Sequence, residues 1–166
     1  MWGDLRMLFL QPPENAAGIR NFCRQFNENI HVEYKQNFDG NVRNSLAKIV
    51  SSFANSLGGV LILGVSAPNG VPVESIEGFD KPNDELRLTI QNICLQSLNP
   101  PVLPKIMEVE SDTTGEVFVV IEIAESEAAS HAIENRTKVY VRTEQDKPTS
   151  TNSTNNISVN CVEIMD

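Results

Sequence analysis

VRNSLAKIVSSFANSLGGVLILGV, residues 42–65, reads as an amphipathic helix, a glycine stop and a buried strand in direct succession. Val42, Leu46, Ile49, Val50, Phe53 and Leu57 recur at steps of four, three, one, three and four. At about 100° per residue these steps put all six on one side of a helix. Gly58 and Gly59 follow, and glycine takes the left-handed conformation that commonly closes a helix. Val60 to Leu63 is then an unbroken apolar run bounded by Gly64, the pattern of a strand covered on both faces. The glycine pair does not suit a phosphate loop. There the glycines precede a helix and its N–H groups face the anion; here they follow one.

Working outward, Pro12-Pro13 precedes a helix pattern over Glu14–Phe26, with Ile19, Phe22, Cys23 and Phe26 on one side. Ile30–Lys35 alternates as a strand: Ile30, Val32 and Tyr34 face one way, His31, Glu33 and Lys35 the other. Gln36–Asn41 is a loop into the central helix. Beyond Val65, Ser66–Gly70 is a tight turn, with Val71 and Val73 on a returning edge that Pro72 keeps short. Asn83 is the predicted N-cap of a helix carrying Leu86, Ile90, Ile93 and Cys94, stopped at Asn99-Pro100-Pro101. Lys105–Glu110 and Val117–Ala124 form a hairpin by pattern, and Lys138–Arg142 is a further strand. Thr149–Asn156 is a polar, low-complexity run read as a linker. The alternation in Ile157–Met165 is an added strand or the start of another element. These elements predict an α+β fold with a mixed β-sheet and about three helices. The domain spans residues 1–148, with a linker and tail over 149–166.

Composition narrows the functional classes. Of 166 residues 40% are hydrophobic and 21% charged, ordinary for a globular chain with a real core. No apolar run approaches a membrane span, and the opening MWGDLRMLFL lacks the cleavage signal of a secretory leader. Three widely spaced cysteines argue against a disulfide framework or a clustered metal site, and a cytoplasmic location is the expectation. The net charge of −9 is uneven: residues 1–60 carry six cations and five acids, residues 61–166 seven and seventeen. This is not the basic field of a tight duplex binder, so a polyanion contact has to use local cations.

Two carboxylates, Glu28 and Glu33, lie five apart, and a pair of this kind can hold a divalent cation such as Mg or Mn. The alternative is a turn acid and a strand acid paired with Lys35. His31 shares the face of Glu33, and His131 has no nucleophile at a recognisable spacing. The polar side of the central helix, Asn44, Lys48, Ser51 and Asn55, is either a solvated face or a set of phosphate and sugar contacts. In the second case it acts with Lys35, Arg43 and Arg142.

Taken together, Val32-Glu33-Tyr34-Lys35, then Ser52-Phe53-Ala54-Asn55-Ser56-Leu57-Gly58-Gly59, then Val60 through Val65 resemble the Schlafen-type AlbA-like domain. That family shows a Glu-x-Lys strand, a helix near Ala-Phe-Ala-Asn-Thr, two glycines, an apolar strand and Gly-Val. Asn99-Pro100, the stretch from Glu125-Ser126 to His131, and Tyr140-Val141-Arg142 fall in the family's order. The resemblance covers about Glu28 to Thr149. It implies an α+β domain that binds DNA, often in transcriptional regulators with a further C-terminal domain. It also implies kinship with RNA-cleaving members that use three metal-binding carboxylates. Two of these correspond to Glu28 and Glu33; the third follows Gly-Val, where this chain has Ser66 and Ala67.

Three readings follow. The first is a non-catalytic, nucleic-acid-binding regulatory domain (DNA or RNA) acting through Lys35, Arg43, Lys48, Asn55 and Arg142. The second is a divalent-metal-dependent endoribonuclease with catalytic and metal-binding Glu28 and Glu33 and an incomplete carboxylate set. The third is a protein-interaction or oligomerisation module, with the acidic 107–135 region meeting a basic partner or a second copy. None involves a membrane.

Overall fold

The computed structural model describes residues 11–83, 85–128, 130–133, 138–145 and 156–163. The elements run α1 (Ala16–Gln25), β1 (Val32–Lys35), α2 (Gly40–Ala54), β2 (Gly59–Leu63), β3 (Phe79–Asp80), α3 (Leu86–Ser97), β4 (Lys105–Glu110), β5 (Glu116–Ile123), β6 (Ala132–Ile133), β7 (Lys138–Gln145) and β8 (Asn156–Glu163). This is an α+β fold with a mixed sheet, as the patterning predicts.

The main sheet is organised on β5. β1 and β2 pair in parallel, and β2 continues antiparallel to β5. Val117 pairs with both Phe79 of β3 and Glu110 of β4, so β3 and β4 lie on opposite edges of β5. Every residue of β2 is buried. Leu61 and Leu63 face the layer of α2 and α3, with Phe53, Leu86, Ile90 and Ile121; Val60 and Ile62 face α1, with Ile19, Phe22, Phe118 and Val120. At about 1.5–3 kcal/mol for each buried aliphatic side chain, this strand is a major source of stability. A second sheet, β6–β7–β8, is antiparallel throughout.

Helix α2 lies between the two sheets. Asp39 caps its N-terminus, accepting the Val42 N–H at 3.0 Å. At the other end Gly58, at φ +71°, donates its N–H to the Phe53 carbonyl at 2.8 Å. A Cβ there would meet the Glu125 nitrogen and the Ile123 oxygen at 2.7 Å, so both conformation and space require glycine. The glycine pair is therefore a helix stop.

Several local expectations are corrected. Val71 and Val73 form no returning strand: Pro68–Gly70 makes a 3-10 turn with Asn69 at φ 55°, and a single bond joins the Val73 N–H to Ser66 O at 3.0 Å. Pro72, which has no N–H, interrupts any ladder there. Helix α3 begins at Leu86 rather than after Asn83, with Glu85 at the N-cap and no side-chain cap bond. Of the two readings of Ile157–Met165 the added strand is the one met: residues 156–163 supply β8, paired with β7 from Lys138↔Glu163 to Gln145↔Asn156. The polar run at 149–155 lies outside the described residues. Among those described, no helix is long and apolar enough to cross a membrane.

Candidate functional site

The strand alternation that places Glu33 and Lys35 on one face of β1 makes them neighbours, with Lys35 Nζ 2.9 Å from Glu33 Oε1. The other oxygen, Oε2, accepts from Arg142 Nη1 at 2.5 Å. Arg142 comes from β7, and its side chain is only 2% exposed. Two further donors go to main-chain carbonyls: Nε to Ile30 at 3.1 Å and Nη2 to Asn29 at 3.1 Å. The guanidinium also lies 4.0 Å from the centre of the Phe53 ring, a favourable seat for a cation over an aromatic face. A planar fork of donors satisfied this fully joins the second sheet to the first.

Glu28 stands at the rim of this cluster. Its Oε1 accepts the Tyr34 N–H at 3.1 Å, and its own N–H bonds Gly70 O at 2.8 Å. Burial pushes the Glu28 carboxyl up from its usual 4.5, with the nearby Glu33 charge adding to the effect. Burial acts in the same direction on Glu33, but Arg142 and then Lys35 more than offset it and hold that carboxyl below 4.5.

The sign of the pH dependence follows. A depressed folded-state value means that Glu33 stabilises the fold above the unfolded value of 4.5, and that this contribution is lost as the pH falls through the folded value. Glu28 works in the opposite sense, its raised value favouring the fold as the pH falls, and among the described residues no cation touches it. We expect thermal stability to drop on acidification below about pH 4.5. Glu33→Gln should flatten that slope while lowering stability at neutral pH. An unchanged slope in Glu33→Gln would contradict the assignment.

The pair does not suit Mg or Mn. Both oxygens of Glu33 carry cations and one oxygen of Glu28 holds a backbone N–H, which leaves a single unengaged carboxylate oxygen. Among the described residues no group of three or more His, Cys, Asp or Glu side chains is placed to hold a metal ion. A hard divalent cation takes about six oxygen ligands, commonly one or two carboxylates with water completing the set, and here one carboxylate oxygen is unengaged. Ser66 and Ala67, half-buried after Gly64-Val65, supply no carboxylate.

The residues expected to contact nucleic acid divide into two groups. Arg142 and Asn55 are architectural. Asn55 donates from Nδ2 to the carbonyls of His131 (2.9 Å) and Tyr140 (3.0 Å), and its Oδ1 accepts the His131 N–H at 2.7 Å. Both Nδ2 hydrogens of Asn55 are thereby used, and the Arg142 side chain, 2% exposed, is withdrawn from any phosphate at the surface. Lys35, Arg43 and Lys48 are half-buried and reach the surface. Lys48 Nζ lies 5.0 Å from the centre of the Tyr140 ring, and the Arg43 guanidinium 4.9 Å from that of Phe38. The helix stripe that read as either solvated or ligand-binding is partly neither: Ser51 is fully buried, and β7 meets α2 along it.

Other participants stood in the motifs of the family resemblance but had no role assigned by sequence. Ser56 Oγ accepts the Arg142 N–H at 2.9 Å. His131 is 3% exposed, with Nδ1 2.5 Å from Pro100 O and Nε2 2.6 Å from Ser126 Oγ. A carbonyl only accepts, so Nδ1 carries a proton and the imidazole fastens two loops together. These contacts join positions far apart in the chain, where spacing carries no information.

A family model described as Schlafen, AlbA_2 matches residues 28–150. Comparison with curated proteins returns no match. Among solved structures, the chain is similar to the N-terminal domain of a RecG-related protein from Nitrosomonas europaea. The TM-score is 0.51 at 23% identity, covering 68% of this chain and 74% of that one. It is also similar to the DIP2311 protein from Corynebacterium diphtheriae, at 19% identity and TM-score 0.46, covering 69% of this chain and 21% of that one.

Proposed function

Because the chain belongs to the Schlafen AlbA_2 family, we propose that it is a non-catalytic nucleic-acid-binding domain with a regulatory role, in transcription, within the cytoplasm. The observation that carries the non-catalytic part is the state of Glu33, whose carboxylate is neutralised from within the protein by Arg142 and Lys35. A carboxylate so engaged is poorly suited to hold a metal ion for phosphodiester cleavage. The name of the RecG-related relative, an ATP-dependent DNA helicase type, supports nucleic acid as the partner.

The binding surface is the accessible flank of α2 with the adjoining part of β7. Lys48 over Tyr140 and Arg43 over Phe38 set two cations against two aromatic rings. Asn44 is exposed on the same helix, and Lys35 completes the set at the edge of the ion-pair cluster. Lysine, arginine and asparagine contact phosphate and sugar, and Tyr140, half-buried, is the ring suited to a stacked base, Phe38 being buried in the core. With so few cations and an acidic remainder, binding should be modest and strongly salt-dependent.

The test is a salt titration of single- and double-stranded DNA and RNA binding, run with and without Mg²⁺ or Mn²⁺. Expected are binding at low ionic strength, no cleavage, and a loss of roughly threefold to tenfold in affinity for Lys48→Ala with the melting temperature nearly unchanged. Absence of binding at low salt would overturn the reading. Cleavage abolished by Glu33→Ala would replace it with the endoribonuclease.

A further inference from the structure

We propose that Ser126 is a nucleophile activated by His131, able to accept an acyl group from an activated ester. The hydrogen bonds of the His131 ring fix the direction of the proton between the two side chains. Nδ1 lies 2.5 Å from the Pro100 carbonyl, which only accepts, so Nδ1 carries the ring proton. With the ring neutral, Nε2 is then an acceptor. The atom 2.6 Å from it is Ser126 Oγ, which has a hydrogen to give. The hydroxyl has a second acceptor in Ala128 O, but at 3.3 Å; the shorter contact is with the imidazole.

A serine, a histidine base and a third group that holds the base in one tautomer are the parts of nucleophilic catalysis. Pro100 O takes the third place. An amide oxygen does the same in the Cys-His-Asn arrangement, so a carboxylate is not required there. His131 is 3% exposed and its ring is held at both nitrogens. Its main-chain N–H and carbonyl both bond Asn55. A base fixed in this way needs no reorientation when the proton moves. Ser126 is half-buried between exposed Glu125 and Glu127, which puts that end of the pair at the surface.

The surroundings favour the charge that the transfer creates. Ser126 N–H bonds Ala54 O at 3.0 Å, so the pair is anchored by Ala54 and Asn55 at the C-terminal end of α2. That end of a helix favours a cation, and an imidazolium is what His131 becomes. As the bond from Oγ to the acyl carbon forms, the hydroxyl hydrogen passes to Nε2. The ester C–O bond then breaks, and the same hydrogen leaves on the alcohol. Water attacking the acylated serine by the reverse route restores Ser126. The N–H of Glu127, the residue after the nucleophile, donates to no main-chain carbonyl among the described residues. It is the donor nearest in sequence to the oxyanion that develops.

The separation of five residues matches no recognisable nucleophile spacing; the fold of the segment between β5 and β6 brings the two side chains together. The pair includes none of Lys35, Arg43 and Lys48 and requires no metal, so its test is independent of nucleic-acid binding.

The experiment treats the full chain with p-nitrophenyl acetate and locates the acetyl groups by peptide mass mapping. Ser75, exposed in a loop, is the internal control. Expected is acetylation of Ser126 at least about a hundredfold faster than of Ser75. That preference should vanish in urea, which separates the pair, and in His131→Gln. Ser126→Ala should remove the fast phase of p-nitrophenolate release while the chain stays folded. Equal rates at Ser126 and Ser75 in the native chain would overturn the proposal, whether or not the variants fold. So would a folded His131→Gln that keeps the preference, which would leave the imidazole as a loop fastener alone.

Discussion

Arg142→Met is expected to lower the unfolding free energy by about 3–5 kcal/mol, because it leaves Glu33 buried with Lys35 as its only charged partner. For a domain of this size that corresponds to a fall of roughly 10 °C in melting temperature. The loss comes from several sources at once. The Arg142–Glu33 contact at 2.5 Å disappears, the Asn29 and Ile30 carbonyls lose donors, and Phe53 loses the cation over its ring. Arg142→Lys retains the charge but not the fork, so one ammonium cannot reach Glu33 and both carbonyls together; an intermediate loss is expected. The double variant Glu33→Met with Arg142→Met should be more stable than Arg142→Met alone, since an apolar pair avoids the unpaired carboxylate. A loss below about 1 kcal/mol for Arg142→Met would mean that the cluster does not fasten the second sheet.

Asn55→Ala has the second-largest expected effect, about 3 kcal/mol. It removes the bonds that Asn55 makes to the His131 N–H and to the carbonyls of His131 and Tyr140, at about 1–3 kcal/mol for each group so left unsatisfied and with water recovering part of the cost. Asn55→Asp is a sharper probe. The carboxylate still accepts from His131 N–H but faces two carbonyl oxygens that need donors, so it should be no more stable than alanine. Chemical denaturation reads the loss directly. If Asn55 were instead a ligand for nucleic acid, Asn55→Ala would reduce affinity and leave stability near the parent value.

Much of the fold was legible in local pattern. Five of the six apolar positions bury along one face of α2, Leu57 lying half-buried beyond the helix end at Ala54, and the unbroken run of β2 is enclosed on both faces. Those features repeat within a few residues, and period and polarity suffice to read them. The short elements were less legible. β3 is two residues long, and the start of α3 has no side-chain cap to mark it.

The candidate site was legible only in part. Glu33 and Lys35 are two apart on a strand, so alternation alone places them together. Glu28 and Glu33 could be paired by spacing, but their roles could not. One holds the outward N–H of Tyr34 and the other a guanidinium 109 positions away. Arg142 and Asn55 read as polar side chains on a strand and a helix, residue types that nucleic-acid contacts use. Whether such a side chain meets solvent or protein depends on what packs against it.

The sequence by itself determined the helix–glycine–strand unit of residues 42–65, the α+β class and the family, because each rests on periodicity or on a contiguous motif. Only the tertiary structure decided that β7 lies over the polar stripe of α2, which makes Arg142 and Asn55 fasteners and leaves Lys48 and Arg43 at the surface. The physical reason is that burying a guanidinium requires a carboxylate, two carbonyls and an aromatic ring to converge. Here they converge from residues 29, 30, 33 and 53, brought together by packing across a separation that no local pattern records.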